Sequence, residues 1–491
     1  MKMRLILLGV LAASNVWAQA QVVALPSKSP LVNFRLVFRT GAAYDPAGKP
    51  GTAALTTAML SRGGTRELTY KQIIDAMFPM ASSVDGQVDK EMVTFSAETH
   101  VDNLEAFYKL FRAMLLQPGW REEDLARLRD DAINFLRVSL RGTNDEELGK
   151  ELLYLQIYQG HPYGHHNVGT ASSIQKLTLE DLQQFYKTQF TAGNLIIGIA
   201  GGYPDGFADR MKKDFAALPK GDRPKLTLPK PKPIAHNRVL MVDKDTRSVA
   251  YSIGFPIEVT RAHPDFGALL VAQSYLGQHR NSGGRLFERM RQQRGLNYGD
   301  YAYIEYFPRG MFLFEPDPNL ARRQQIFQVW IRPVEPPTAM FALRLALFEL
   351  NKLVNEGVPA DAFERTRNYL GKNVNLLTKT KQAELGYKID SLYYGIPDYG
   401  TFLKNALLKL TVEDVNKAVK KHLRADRLQI VIVADDVDAI SKQLLSGAPS
   451  PMEYNSPKPD EILEEDKKVE RYPIPVKPEW IKVVPVSSVF E

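Results

Sequence analysis

A helix is predicted to begin in the stretch Gly51-Thr52-Ala53-Ala54-Leu55-Thr56-Thr57-Ala58-Met59-Leu60. The segment before it, Phe34 to Arg39, has the composition of a strand, and the proline- and glycine-containing residues 44–50 form a turn between the two. Arg62-Gly63-Gly64-Thr65, after the helix, is a stop signal. The sequence therefore predicts a strand, a turn and a helix in direct succession, and the rest of the chain is interpreted outward from this unit.

Composition and charge narrow the class of protein. The chain has 491 residues and no cysteine, so disulfides, thiol catalysis, cysteine-ligated zinc and a lipoprotein anchor are excluded. Its formal net charge is +7, and opposite charges are interspersed along the chain. This pattern predicts a solvated surface, without the basic stripe interleaved with aromatics that is typical of nucleic-acid binding. We therefore expect no nucleic-acid partner.

Residues 1–20 have the pattern of a secretory signal peptide. Lys2 and Arg4 precede a short apolar run from Leu5 to Ala13, and Ala18-Gln19-Ala20 is a cleavage signal. The run is too short to span a bilayer, and no later apolar run is long enough to do so. The sequence thus predicts an exported protein, most simply a periplasmic one, with no membrane span.

The second half of the chain repeats the first, which predicts a duplicated domain. Leu177-Thr178-Leu179-Glu180-Asp181-Leu182 matches Leu410-Thr411-Val412-Glu413-Asp414-Val415, and each is a capped helix start followed at the same spacing by a strand. Each half mixes clustered strands with long helices. We predict the class α+β, with two homologous repeats that each form a mainly antiparallel sheet with helices on one face, the two together making a clam-shell.

The predicted domain boundaries follow from shifts in amino-acid composition along the chain. They give a signal peptide at 1–20, a first repeat at 21–217, a proline- and lysine-rich linker at 218–236, a second repeat at 237–446 and a proline-rich tail at 447–491. The tail is predicted to be an extended arm, and its segment from Trp480 to Val484 has the composition of a strand that adds to another sheet. A disordered tail is the open alternative.

The strand, turn, helix and double-glycine stop resemble the approach to the zinc site of the pitrilysin/insulinase family, which includes the mitochondrial processing peptidases. In active members this helix carries the motif H-x-x-E-H, whose two histidines bind zinc and whose glutamate polarises water. Here the three positions are Ala54, Thr57 and Ala58. The family's further glutamate ligand falls on Phe135, or on Asn134 if the register slips by one. The resemblance therefore implies that every zinc ligand is lost and that this chain holds no cofactor.

A second motif of the same family is retained. Ser282-Gly283-Gly284-Arg285-Leu286-Phe287 followed by Arg291-Gln292-Gln293-Arg294-Gly295-Leu296-Asn297-Tyr298 resembles the S-R-L-F helix and R-x-x-R-G-L-x-Y motif of the family's second domain. The resemblance implies that Arg291 and Tyr298 donate hydrogen bonds to the substrate carbonyl and to the developing oxyanion. The alternative is a basic helix with a solvated face and a tyrosine packed at the start of a strand.

Two other segments invite a functional interpretation. His161-Pro162-Tyr163-Gly164-His165-His166 is the only histidine cluster of the sequence, but its proline and glycine predict a turn in which adjacent histidines do not converge on one ion. Residues 82–98 alternate around a polar turn and predict a hairpin. The family resemblance implies that this hairpin binds extended peptide by edge-strand addition.

Together these features predict an exported, non-catalytic subunit of a hetero-oligomer. It would pair with a zinc-bearing homologue, enclose a peptide chamber and contribute Arg291 and Tyr298 in trans, so that zinc is expected in the partner subunit. On its own the chain is expected to be inactive. Two alternatives stay open: a peptide-binding or assembly scaffold with no catalytic contribution, and a metallopeptidase that uses displaced ligands.

Overall fold

The computed structural model describes residues 19–308 and 315–491 of the chain. The predicted signal peptide lies almost entirely outside these residues. Within the part of the chain that is described, no helix combines the length and the apolar character that a membrane crossing needs.

The described strands form two sheets, one in each repeat. In chain order they are β1 (Gln21–Pro26), β2 (Leu31–Phe38), β3 (Ser83–Val88), β4 (Val93–His100), β5 (Leu195–Gly201), β6 (Arg238–Asp243), β7 (Val249–Ile257), β8 (Asp300–Tyr303), β9 (Gln325–Val334), β10 (Gln429–Ala434) and β11 (Ile481–Pro485). The first sheet has the order β1-β5-β2-β4-β3, and the second has the order β11-β6-β10-β7-β9-β8.

The two sheets share one plan, as a duplication requires. In the first sheet β1 runs parallel to β5, and the pairs β5–β2, β2–β4 and β4–β3 are antiparallel. In the second sheet β6 runs parallel to β10, and the pairs β10–β7, β7–β9 and β9–β8 are antiparallel. The predicted class, α+β with two homologous and mainly antiparallel repeats, is confirmed.

The helices lie mainly in the long connections between strands. Those described are α1 (Thr52–Arg62), α2 (Tyr70–Met77), α3 (Leu104–Leu116), α4 (Glu122–Asn134), α5 (Asp145–Ile157), α6 (Ala171–Lys176), α7 (Leu179–Gln189), α8 (Phe207–Phe215), α9 (Phe266–Gly277), α10 (Ala339–Glu356), α11 (Ala360–Leu377), α12 (Lys381–Tyr394), α13 (Tyr399–Lys409), α14 (Val412–His422), α15 (Val437–Ser446) and α16 (Asp460–Val469). Two π-helices, Phe135–Leu140 and Phe287–Gln292, carry residues that matter for the site.

The repeats exchange a helix, which the sequence does not reveal. Helix α5 belongs to the first repeat by sequence but packs on β7 and β10 of the second sheet, while α12 of the second repeat packs on β5, β1 and β2 of the first. The second face of each sheet is thus covered by the other repeat. Every residue of β5 and of β10 is accordingly buried, as expected for strands covered on both faces.

Glycines in the strands allow this close approach. A side-chain carbon at Gly198 of β5 would lie 2.8 Å from Ile389 Cδ1 of α12, and one at Gly254 of β7 would lie 3.2 Å from Leu153 Cδ2 of α5. Both distances are shorter than a normal carbon–carbon contact of ~3.5–4.0 Å. Larger residues at these two positions would push the exchanged helices off their sheets.

The tail is more structured than the extended arm that the sequence predicts. It contains α16 as well as β11, which adds to the second sheet by pairing in parallel with β6. The sequence of α16 is mostly charged and follows a proline-rich segment, and no helix is predicted there from the sequence. Its order comes from tertiary ion pairs, since the fully buried Arg294 side chain lies 2.6 Å from Asp466 Oδ1 and 2.9 Å from Glu465 Oε2.

Candidate functional site

Helix α1, which opens the sequence analysis, is anchored at its start by Asp45. The two Asp45 carboxylate oxygens accept hydrogen bonds from the backbone N–H groups of Gly51 and Ala53, each at 2.7 Å. Burial of the carboxyl raises the pKa of Asp45 to about 7, against the lowering effect of these two N–H donors. Gly51 has φ of 96°, and a Cβ there would lie 2.4 Å from Val168 O, so the turn into the helix requires glycine.

The three motif positions on α1 offer no metal ligand. Ala54 and Ala58 lie four residues apart on one half-buried face, and Thr57 is buried. Alanine has no lone pair, and threonine supplies no carboxylate to activate water. Among the described residues the Thr57 hydroxyl has no hydrogen-bond partner, and the Thr57 Cγ2 lies 3.0 Å from the position that a Cβ on Gly86 of β3 would occupy. The residues present therefore do not fit a zinc ion.

Phe135, which stands at the position of the family's further zinc ligand, lines a pocket. Phe135, the first residue of its π-helix, is 42% exposed, and its ring centroid lies 6.1 Å from that of His166. Both residues line a pocket of about 320 Å³ together with Gly86, Gln87 and Val88 of the edge strand β3. The neighbouring Asn134 ends α4 and supplies no carboxylate either.

Arg291 and Tyr298 lie together on the surface of the second repeat. Arg291 Nη1 donates to the Tyr298 carbonyl oxygen at 3.3 Å, and its guanidinium carbon lies 5.3 Å from the centroid of the tyrosine ring. Tyr298 is 75% exposed. The pocket beside Phe135 is lined from the second repeat by Tyr306, Pro308 and Leu320, so the pair does not line the pocket next to the vacated positions.

The other arginines of this segment have carboxylate partners. Arg285 lies 2.9 Å from Glu288, Arg289 lies 3.2 Å from Glu349, and Arg294 binds the two acids of α16. In the described part of the chain, Arg291 has no carboxylate within ion-pair distance, and it packs over the Phe287 ring at 4.9 Å instead. Its guanidinium is therefore exposed and has no carboxylate partner among the described residues.

Two family models match the chain. Residues 22–171 match the model described as "Insulinase (Peptidase family M16)", and residues 176–370 match the one described as "Peptidase M16 inactive domain". The chain belongs to the M16 peptidase family. Its sequence contains no H-x-x-E-H, so it is a member that lacks the family's zinc-binding motif.

Similar proteins support this assignment. "Non-peptidase homolog YmxG" of Helicobacter pylori is 21% identical over 409 residues, 83% of this chain and 89% of that protein. "Probable mitochondrial-processing peptidase subunit beta" of Arabidopsis thaliana is 24% identical over 248 residues, which covers 50% of this chain but only 46% of its own length. The solved "peptidase M16 inactive domain" from Pseudomonas fluorescens has a TM-score of 0.75 at 23% identity and covers 85% of this chain and 97% of that one, a likeness of fold.

The histidine turn of this M16 chain is held by its own backbone. His161 Nδ1 accepts from the Tyr163 N–H at 2.9 Å, and His166 Nδ1 accepts from the Val168 N–H at 3.1 Å. Burial, with the Lys90 ammonium as a second cause, lowers the pKa of His165 to about 4 and that of His166 to about 3. Among the residues described, these histidines do not converge as metal ligands: His161 and His166 accept from backbone N–H groups of the turn, and His165 Nδ1 donates to the His166 carbonyl oxygen.

The turn between β3 and β4 joins the repeats, which the sequence does not indicate. The sequence predicts a polar turn here, and in the structure its residues Asp89, Lys90 and Glu91 are at most 4% exposed. Asp89 Oδ2 accepts from Arg322 Nε at 2.8 Å, and Glu91 Oε2 accepts from Arg323 Nε at 2.6 Å. These partners lie more than two hundred positions away, so no local pattern could indicate them.

Proposed function

We propose that this M16 homologue is an exported, non-catalytic subunit that pairs with a zinc-bearing M16 subunit and supplies Arg291 and Tyr298 to peptide hydrolysis. The assembly is periplasmic in this proposal, and the zinc ion belongs to the partner. The similarity to a non-peptidase homologue and to a peptidase subunit supports the division of roles.

The observation that carries this proposal is that Arg291 is exposed and has no carboxylate partner among the described residues. Arginines near it in sequence, at 285, 289 and 294, are neutralised by acidic side chains of this chain, whereas Arg291 faces solvent beside an exposed tyrosine. A purely structural role would not require an exposed arginine held against Tyr298 by a hydrogen bond and a ring contact. The arrangement supports a role towards a second molecule.

The chemistry of the pair suits an acyl-transfer site. A guanidinium and a phenol both donate hydrogen bonds, and donors fixed near a carbonyl stabilise the oxyanion that forms when water attacks it. The loss of one such donor typically slows the reaction by ~10²–10³-fold. Arg291 lies in the π-helix and Tyr298 in the bend before β8, and the hydrogen bond from Arg291 Nη1 to the Tyr298 carbonyl oxygen links the two residues.

The first repeat offers a place for an extended peptide. Strand β3 is at the edge of its sheet, and no strand in the described part of the chain pairs with its outer side. The pocket of about 320 Å³ that Phe135 and His166 line lies along Gly86–Val88 of this strand. An added peptide strand would bond to the free backbone groups of β3, while its side chains enter the pocket.

Reconstitution tests the proposal. The chain is co-expressed with an M16 protein of the same organism that retains H-x-x-E-H, and peptide cleavage by the purified complex is measured. We expect Arg291→Ala with Tyr298→Phe to lower kcat by ~10²-fold or more while the complex still forms. Arg365→Ala is the matched control, since Arg365 is 71% exposed and pairs only with Asp361 in the same repeat. An unchanged kcat in the double variant contradicts a role in trans.

The two alternatives give different results in the same experiment. A scaffold predicts that the double variant cleaves normally, while removal of the whole chain destabilises the zinc-bearing subunit. A metallopeptidase with displaced ligands predicts that the purified chain cleaves peptide alone, with stoichiometric zinc. Detection of the mature chain in the periplasmic fraction checks the predicted localisation.

A further inference from the structure

Three side chains of metal-ligand type meet in the second repeat, far along the chain from the vacated helix. His263 and Asp265 lie in the turn before α9, and His422 is the last residue of α14, which packs against α9. One ligand atom from each lies within 4.8 Å of the others, and all three residues are half-buried. Within residues 19–308 and 315–491 this is the only such group of three.

The distances are close to those of a tetrahedral ion. His422 Nε2 lies 2.7 Å from Asp265 Oδ2, and His263 Nδ1 lies 4.0 Å from the same oxygen. Ligands ~2.0–2.1 Å from a tetrahedral zinc ion are separated from each other by about 3.4 Å. The distances of His422 Nε2 and His263 Nδ1 from Asp265 Oδ2 therefore differ from this separation by about 0.7 Å and about 0.6 Å. The ion would replace the hydrogen bond that His422 Nε2 donates to Asp265 Oδ2.

The three side chains already interact with one another. His263 Nδ1 accepts from the Asp265 N–H at 3.0 Å and His422 Nε2 donates to Asp265 Oδ2, so an ion would take the place of both hydrogen bonds. Asp265 occupies the N-cap of α9, yet its side chain caps no backbone N–H of that helix. An aspartate at this position normally bonds to the first turn. Here its carboxylate is committed to the cluster instead.

Lys421 now balances the negative charge of Asp265. Its Nζ lies 2.8 Å from Asp265 Oδ2, and its side chain is 62% exposed, so it can turn into solvent when a divalent cation takes its place.

We propose that His263, Asp265 and His422 bind one zinc ion, and that this ion ties the start of α9 to the end of α14. Two imidazoles with a carboxylate suit zinc, whereas calcium and magnesium prefer an all-oxygen shell. With three protein ligands, the fourth tetrahedral position is left to water. The proposal is independent of the role assigned to Arg291 and Tyr298.

Zinc titration of the full-length chain tests this site. The protein is freed of metal with a chelator, titrated with zinc alone by calorimetry, and its Tm is recorded with and without zinc. Cobalt(II) then replaces zinc, and its visible absorption reports the coordination geometry. We expect one equivalent of zinc, a higher Tm and a tetrahedral cobalt spectrum.

Substitutions locate the ion. His263→Gln and His422→Gln are each expected to lower zinc affinity by roughly tenfold or more and to abolish the zinc-dependent rise in Tm. His100→Gln is the matched control, because His100 is an exposed histidine that also lies beside an aspartate, Asp102, at 3.2 Å. If the His422→Gln variant does not fold, the His263→Gln variant alone tests the zinc site. The His263 imidazole forms no hydrogen bond to the Asp265 carboxylate, so this substitution leaves the carboxylate's present contacts in place. The proposal is overturned if the wild type binds no stoichiometric zinc, or if zinc affinity is unchanged in the folded variants.

Discussion

At the scale of single residues, the sequence already shows what the M16 site has lost. Ala54, Thr57, Ala58 and Phe135 are recognisable as non-ligands without any structure, because ligand chemistry depends on residue type alone. The structure adds how these positions are filled: Thr57 packs on β3 and Phe135 faces a pocket. It also adds Asp45, whose carboxylate holds the start of α1 and which the sequence marked only as part of a turn.

Replacement of His166 by asparagine is expected to reduce the loss of folding stability that occurs as the pH falls. Burial and the Lys90 ammonium lower the pKa of His166 from 6.5 to about 3, although Glu151 Oε2 lies 3.8 Å from its Nε2. The folded protein keeps this ring neutral while the unfolded chain protonates it, so stability is lost as the pH falls from 6.5 towards 3. This one group costs ~2 kcal/mol near pH 5.

Urea denaturation at about pH 7 and about pH 5 measures this effect. Asparagine keeps an acceptor for the Val168 N–H but does not titrate, so the variant should lose less stability between the two conditions than the wild type does. His100→Asn, at an exposed position, should behave as the wild type. Equal losses in the His166 variant and the wild type would show that this ring is not the source.

At the scale of elements, local patterns predicted the strand before α1, the β3–β4 hairpin and the capped starts of α7 and α14, and failed where order depends on distant partners. Strand β11 follows from an apolar segment, Trp480 to Val484, that the sequence singles out. Helix α16 does not, because its residues are mostly charged and its partners, above all Arg294, lie some 170 positions earlier in the chain. Its acidic first turn and basic last turn favour a helix only weakly without those ion pairs.

Replacement of Arg294 by methionine is expected to release α16 and to destabilise the protein by ~3 kcal/mol, because it leaves Asp466 and Glu465 without their buried partner. Arg365→Met breaks an ion pair whose side chains are 71% and 70% exposed, so its effect should stay within ~0.5 kcal/mol. Chemical denaturation gives both values. Limited trypsin digestion should cut faster at Lys467 and Lys468 of the Arg294 variant. Unchanged cleavage there would mean that other contacts hold the helix.

At the scale of the whole molecule, the two repeats depend on each other. Helix α5 completes the second sheet and α12 completes the first, so neither repeat covers both faces of its own sheet. The interface also buries charge, since the Arg322 and Asp89 side chains are 1% and 0% exposed and Arg322 lies over the Tyr306 ring at 3.5 Å. If the repeats were separated, the Arg322 and Asp89 side chains would either stay buried without their charged partner or become exposed and lose their packing contacts.

Neither repeat is therefore expected to fold alone. Residues 21–236 expressed by themselves should aggregate or melt without a cooperative transition, because the face of β5 that α12 covers would be exposed. Co-expression with residues 237–491 should restore a soluble complex, and the full-length chain should unfold in a single transition by circular dichroism. A soluble 21–236 fragment with a sharp melting curve would contradict the exchange as a condition for folding.

The sequence by itself determined the family resemblance, the duplication, the α+β class and the absence of zinc ligands on α1, because each depends on residue type and local spacing. Only the tertiary structure decided the exchange of α5 and α12, the burial of the β3–β4 turn, the order of the tail and the exposed state of Arg291. Each of these results from contacts between residues far apart in the chain, and periodicity and capping carry no information about such contacts. The meeting of His263 and Asp265 with His422 belongs to the same group, since 157 positions separate the last two.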